Sequence, residues 1–269
     1  LSTTLSSQSM EKQSKSPINS PSLSLDHFKI NPKYQDIQVL KILNQSKFTV
    51  YLAVTEQEPT EKLAMKVFPY DTRTNQPSDH FINEARFFNL KHQNIINIVS
   101  LELEQLTRQN GKISAASYIL MEYAPFGTFS EVITKCKIYS DEKLVRTYFH
   151  QLIDGLEYLH SNGVAHLDIK CSNLLMGADY KLKIADFDFA YSKGDVMTQG
   201  KGSLDYRAPE IIEKKIQSPY KADIYSAGIV LFCMIYGRLP FSEKEKKSKD
   251  SLYMTFKEDP KNFFDIHNQ

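Results

Sequence analysis

Apolar and β-branched residues in the first half of the chain come in short runs bounded by polar ones. Ile37, Val39 and Ile42, then Phe48, Val50 and Leu52, are separated by Asn44-Gln45-Ser46-Lys47, the pattern of two strands and a connecting loop. Leu63 to Phe68 predicts a third strand and Asp79 to Leu90 a helix. Ile95 to Leu103 and Ser117 to Met121 predict two further strands about a turn at Asn110-Gly111. Beyond Pro125-Phe126-Gly127 the period lengthens. Val145, Phe149, Leu152, Leu156 and Leu159 recur every three or four residues, so Glu142 to His160 predicts an amphipathic helix that Asn162-Gly163 ends. Lys221 to Tyr236 is apolar on all sides, as a helix at a core centre would be. The pattern is α+β without internal repeats: a small strand-rich lobe, a hinge near Glu122 to Gly127 and a helical lobe. The cleft between the lobes is the natural ligand site.

Composition narrows this picture. A length of 269 residues allows one large or two modest units, and 41% hydrophobic content is too high for a wholly disordered chain. Leu1 to Leu25 is the exception, Ser- and Thr-rich with almost no aromatic residues, so residues 1–33 are expected to be a disordered tail. Its Ser16-Pro17 and Ser20-Pro21 pairs read as phosphorylation sites for a proline-directed enzyme or, more plainly, as pairs common in unstructured linkers. Lys plus Arg number 33 against 32 for Asp plus Glu, so no overall field draws the chain to nucleic acid or to an anionic membrane. Neither partner is expected. Cys136, Cys171 and Cys233 are too few and too scattered for a disulfide framework or a CxxC zinc site. A reducing, intracellular and cytoplasmic setting is expected. The longest apolar run, Ala227 to Tyr236, is half the ~20 residues that span a bilayer as a helix, and no secretory signal opens the chain. A start at Leu1 rather than Met suggests a fragment or a processed form.

The chemistry concentrates in His166-Leu167-Asp168-Ile169-Lys170-Cys171-Ser172-Asn173 and Ala185-Asp186-Phe187-Asp188. One carboxylate precedes a lysine by two positions and an amide by five, and a second carboxylate follows after eighteen. Phosphoryl transfer needs this set: a carboxylate for the attacking hydroxyl, a cation for the moving phosphoryl, and hard oxygen ligands for Mg²⁺.

From about Ile37 to Ile266 these and other segments resemble the eukaryotic protein kinases, in the order of that family. Ala64-Met65-Lys66 resembles Val-Ala-Ile-Lys, which implies that Lys66 contacts the α and β phosphates of ATP and that Glu84 is its ion-pair partner. His92-Gln93-Asn94-Ile95 is similar to His-Pro-Asn-Ile but arrives one residue early, which shortens the helix end. The resemblance makes Val50 and Ala64 part of the nucleotide site, Met121 the gatekeeper, and Glu122-Tyr123-Ala124 the hinge that binds adenine through its backbone. Thr128 stands where relatives carry a ribose-binding acid, and a plain loop residue is the equal alternative. Asp168 is implied as the base, Lys170 as the phosphoryl-steadying cation, and Asn173 and Asp186 as Mg²⁺ ligands. Lys170, with Gly202-Ser203 ahead of Tyr206-Arg207-Ala208-Pro209-Glu210, resembles the serine/threonine branch. The substrate is then a protein Ser or Thr hydroxyl. Asp223-Ile224-Tyr225-Ser226-Ala227-Gly228 resembles the segment that braces the catalytic loop.

The implied fold is two-lobed and protein-kinase-like: a small antiparallel lobe with one helix (34–121) and a larger helical lobe (122–269), which stops before the last helices of the family. Glu210 is then expected to lack its arginine partner, and an apolar face of the helical lobe to lie uncovered.

Three departures bear on activity. Leu43 to Thr49, where a glycine-rich loop belongs, contains no glycine; Lys47 offers a point charge there, though a solvated lysine is the plainer expectation. Leu167 replaces the arginine that anchors a phosphorylated activation loop, so phosphate on Ser192, Thr198 or Ser203 would lack its main partner. Asp188 replaces a glycine, and structural tolerance and altered metal use are equal readings. A catalytically silent kinase-like interaction module is therefore the alternative to an active enzyme. Lys244 to Lys249 reads as a solvated loop.

Overall fold

The computed structural model describes residues 34, 36–70, 74, 76–109, 112–196, 202–212, 218–242 and 251–268. The Ser/Thr-rich tail, the Asn110-Gly111 turn, Thr198 and the lysine run 244–249 lie outside them. The small lobe is a five-stranded antiparallel sheet of β1 (Ile37–Gln45), β2 (Thr49–Thr55), β3 (Leu63–Pro69), β4 (Ile98–Gln109) and β5 (Lys112–Glu122), in the order β1-β2-β3-β5-β4. Its pairing register sets Lys66 opposite Ile119 and Ala64 opposite Met121, which fixes the roof of the cleft.

One helix, α1 (Asp79–Ala85), crosses the sheet, capped by Ser78 Oγ accepting from the Phe81 amide at 3.3 Å. It is shorter than the pattern 79–90 predicted. The chain leaves α-helical geometry through tight turns, the Phe87 amide bonding Glu84 O and the Phe88 amide bonding Ala85 O. The cause is two adjacent aromatic residues drawn to different cores. Phe87 belongs to the large-lobe core, whereas Phe88 packs against the core beneath the sheet.

The large lobe begins with α2 (Phe129–Cys136) and the central α3 (Glu142–Ser161). Asp141 caps α3 by accepting from the amides of Lys143 and Leu144, and Val145, Leu152, Leu156 and Leu159 form its buried stripe. Short strands β6 (Val164–Ala165), β7 (Leu174–Met176), β8 (Leu182–Ile184) and β9 (Tyr191–Ser192) pair as β6 with β9 and β7 with β8, and carry the loops of the cleft floor. After α4 (Pro209–Ile212), α5 (Pro219–Tyr236) starts on a proline and stops at Gly237 with φ +69°. Ala227, Val230 and Met234 of α5 are buried, but Ile224 and Ile235 are exposed, so the helix is not enclosed on all sides as its composition predicts. Its outer face is covered in part by α6 (Leu252–Glu258) and α7 (Pro260–His267), Phe263 lying 5.8 Å from Phe232 by ring centroid. No helix among the described residues is long and apolar enough to cross a membrane.

Gly155 lets α3 press against the floor of the site. A Cβ there would lie 2.8 Å from Ile184 Cδ1 and 3.2 Å from the Asn94 carbonyl oxygen. Gly155→Ala should therefore destabilise the protein: the overpacking cost of ~1–3 kcal/mol exceeds the helix-propensity gain of up to ~1 kcal/mol. The expected result is a Tm lower by ~2–4 °C per kcal/mol of net loss, and a raised Tm would show that the contact is slack.

Candidate active site

Between the lobes lies a cleft of about 420 Å³. Val50, Ala64 and Lys66 line its roof, Met121, Glu122 and Ala124 its hinge side, and Asp168, Lys170, Asn173 and Asp186 its floor, with Glu84 behind Lys66. All eleven residues singled out from the sequence face this one space.

Lys66 is the meeting point. Its Nζ lies 2.5 Å from Glu84 Oε2 on α1 and 2.6 Å from Asp186 Oδ1 below. The register of Glu84 therefore survives the early end of α1. Burial works against the Lys66 ammonium, but the two carboxylates more than offset it and hold its pKa above the ordinary lysine range. Burial likewise raises Glu84 above the usual carboxylate range, with Lys66 pulling against it. Burial also works against the Asp186 carboxylate, but Lys66, with His166 and Lys170 adding to it, holds the carboxyl below its usual value.

The floor is built from β6 downward. Asp223, fully buried on α5, accepts from the amides of His166 at 2.8 Å and Leu167 at 2.7 Å, and lies 2.9 Å from His160 Nε2. These bonds hold Leu167 in the left-handed region, at φ +61°, a conformation that costs ~1–3 kcal/mol in a non-glycine residue. The turn delivers Asp168 into the cleft. Asp168 Oδ2 accepts from Lys170 Nζ at 2.8 Å and Asn173 Nδ2 at 3.0 Å, and Oδ1 from the Ser203 amide at 2.6 Å. Lys170 also donates to Ser203 Oγ at 2.8 Å, so the floor and the segment that follows it share one network.

Both bonds that Asn173 Nδ2 makes run to Asp168, which leaves the amide oxygen as the group Asn173 can offer a cation. Asp186 adds a carboxylate whose side chain is 40% exposed. Hard oxygens on a partly open wall fit Mg²⁺, while no cluster of three or more His, Cys, Asp or Glu among the described residues suits a metal held by protein alone.

Several side chains at this site escaped sequence reasoning. Asn83 Nδ2 donates to the carbonyl oxygen of Asp188 at 2.8 Å. Arg86 grips Asp195 through both terminal nitrogens, at 2.8 and 3.0 Å. Lys183 pairs with the hinge carboxylate of Glu122 at 3.2 Å. These partners lie tens of residues apart, and only folding brings them together. Thr128 was readable: with Glu131 it forms the reciprocal capping box at the start of α2, and Thr-x-x-Glu is its signature.

Two alternatives that the sequence leaves open narrow here. Lys47 is half exposed, as expected of a solvated lysine, and its Nζ also lies 3.1 Å from Asp188 Oδ2. At Asp188 the backbone needs no glycine, because the left-handed residue is Asp186, at φ +70°, two positions earlier. The Asp188 carboxylate faces Lys47 and His80, which favours structural tolerance over a new metal ligand.

The sequence has counterparts among known proteins. The model of the protein kinase domain matches residues 37–267. The serine/threonine-protein kinase ppk25 of Schizosaccharomyces pombe is 33% identical over 188 residues, which cover 68% of this chain and 42% of that protein. OSK3 of Oryza sativa subsp. indica, a serine/threonine protein kinase, is 36% identical over 144 residues, 51% of this chain and 28% of that protein. The chain thus spans less than half the length of either relative. Aurora-2 of Arabidopsis thaliana, also a serine/threonine-protein kinase, is 33% identical over 213 residues, 78% of this chain and 71% of that protein. With a two-lobed fold and a family match through both lobes, this chain belongs to the eukaryotic serine/threonine protein kinase family.

Proposed function

We propose that the chain is an active, ATP-dependent kinase that phosphorylates Ser or Thr hydroxyls of a protein substrate. The observation that carries this reading is the convergence of Lys66, Asp186, Asp168, Lys170 and Asn173 on one cleft. The hinge backbone from Glu122 to Ala124 would take adenine between Ala64, Val50 and Leu175, and Lys66 would hold the α and β phosphates. Asp186 and the Asn173 amide oxygen would hold Mg²⁺, which supplies charge neutralisation on the phosphoryl oxygens. Asp168, oriented by three donors, would receive the proton of the attacking hydroxyl as the new oxygen–phosphorus bond forms. The bond to the β,γ-bridging oxygen breaks and ADP leaves. Lys170 would steady the γ-phosphoryl between the two. The described cysteines are all free thiols, which suits a reducing cytoplasmic setting.

The alternative, a silent interaction module, draws on the glycine-free loop and on Asp188. Wild-type protein that shows an Mg²⁺-dependent thermal shift with ATP but no transfer to a generic protein substrate would favour it. On the active reading, Asp168→Asn keeps the ATP-dependent thermal shift and loses transfer by about 10²–10⁴-fold; a variant that stays within threefold of wild type would remove Asp168 from the reaction.

Activity is also expected without phosphate on the activation segment. The Arg86–Asp195 pair already ties α1 to that segment with a built-in carboxylate, both side chains about one-fifth exposed. Phosphatase treatment should leave turnover unchanged, whereas Asp195→Asn should lower it several-fold, consistent with ~1–3 kcal/mol for a charge-assisted bond. Turnover abolished by phosphatase would contradict this.

A further inference from the structure

The two departures from the family pattern closest to the nucleotide phosphates touch each other. Lys47, in the glycine-free loop, and Asp188, beside Asp186-Phe187, are 141 positions apart in sequence and 3.1 Å apart in space. The other oxygen of Asp188 meets Nδ1 of His80 on α1, and Lys47 and His80 are themselves 3.1 Å apart. The Asp188 side chain is only 5% exposed, so it needs a cationic or donor partner and would be costly without one. Aromatic rings complete the arrangement. The Lys47 ammonium lies 5.2 Å from the ring centroids of both Phe48 and Phe189, and Phe48 packs on Phe68 of the sheet at 4.6 Å. One loop, one helix and one floor segment are thus pinned together at the mouth of the cleft.

Glycine lets a phosphate-covering loop bring its amides close and flex. A loop of side-chain-bearing residues loses that freedom, and here its position is set instead by a charge pair anchored in the opposite lobe. We infer that Lys47 and Asp188, backed by His80, are positioning residues that clamp the glycine-free loop over the nucleotide, so that the aspartate at position 188 and the missing glycines are a matched pair. The inference rests on the nucleotide-binding reading above, but the clamp itself exists without nucleotide and can be measured without it.

A sharp consequence concerns Asp188→Gly, the change that restores the residue usual in the family. It removes the anchor and should weaken nucleotide binding rather than improve it. With a fluorescent ADP analogue as probe, Asp188→Gly, Asp188→Asn and Lys47→Met should each raise Kd by about tenfold, the effect of losing one charge-assisted bond. Lys47→Arg should stay near wild type. The double variant Lys47→Met/Asp188→Asn should be no worse than either single one, because the two residues act through one contact. The loss should persist without Mg²⁺; an effect seen only with Mg²⁺ would make Asp188 a metal ligand and overturn the clamp. In transfer assays the KM for ATP should rise more than kcat falls. Hydrogen exchange of residues 43–49 in the nucleotide-free protein should accelerate in Asp188→Asn while α5 stays protected, which separates a released loop from a misfolded chain.

Wild-type protein that binds the probe, with affinity and loop exchange both unchanged in the variants, overturns the clamp and leaves the kinase reading intact. Wild-type protein that binds no nucleotide overturns the kinase reading. The clamp is then decided by loop exchange alone, acceleration supporting it and constancy overturning it.

Discussion

Lys66 is a buried ammonium shared between carboxylates from two lobes, and the geometry of the site follows from its need for both. A buried charge without a partner is far costlier than a paired one. Lys66 therefore constrains Glu84, and with it the rotation of α1, and constrains Asp186, and with it the path of the chain leaving β8. The strand register that sets Lys66 opposite Ile119 is what points it into the cleft. A one-residue slip would carry it to the other face of the sheet.

The floor obeys the same logic with the charges reversed. Asp223 is a buried carboxylate that gathers two amides and a histidine, and the turn it stabilises holds Leu167 in a conformation that leucine avoids. Gly202 completes this turn. At φ +89°, a Cβ on it would lie against the Leu167 carbonyl oxygen, so the segment carrying Ser203 can reach Asp168 only with glycine at 202.

Much of this was legible because the cleft depends on residue types at short, fixed separations. The spacing of Asp168, Lys170 and Asn173 is the geometry of one loop, and the alternation of Val50 and Leu52 is the pleat of one strand. The ties across the cleft were not legible. Nothing local in Asn83, Arg86 or Asp195 says that they meet, because a charged residue on a short helix looks the same whether solvent or another segment answers it. The early end of α1 shows in the spacing of His92-Gln93-Asn94-Ile95 but not in the periodicity, which continues through Phe87 and Phe88 although two cores compete for them. Lys47 is half exposed, as its polar loop implies, but its tie to Asp188 spans 141 positions and leaves no local trace.

The brevity of α1 has a consequence of its own. In two turns of helix, His80, Asn83, Glu84 and Arg86 all reach groups outside it, and three of the four reach the chain between Phe187 and Asp195. A helix so heavily committed works as a rivet through both halves of the molecule. It cannot swing outward by breaking one bond at a time at small cost, and small molecules that require it displaced would compete against the whole set at once.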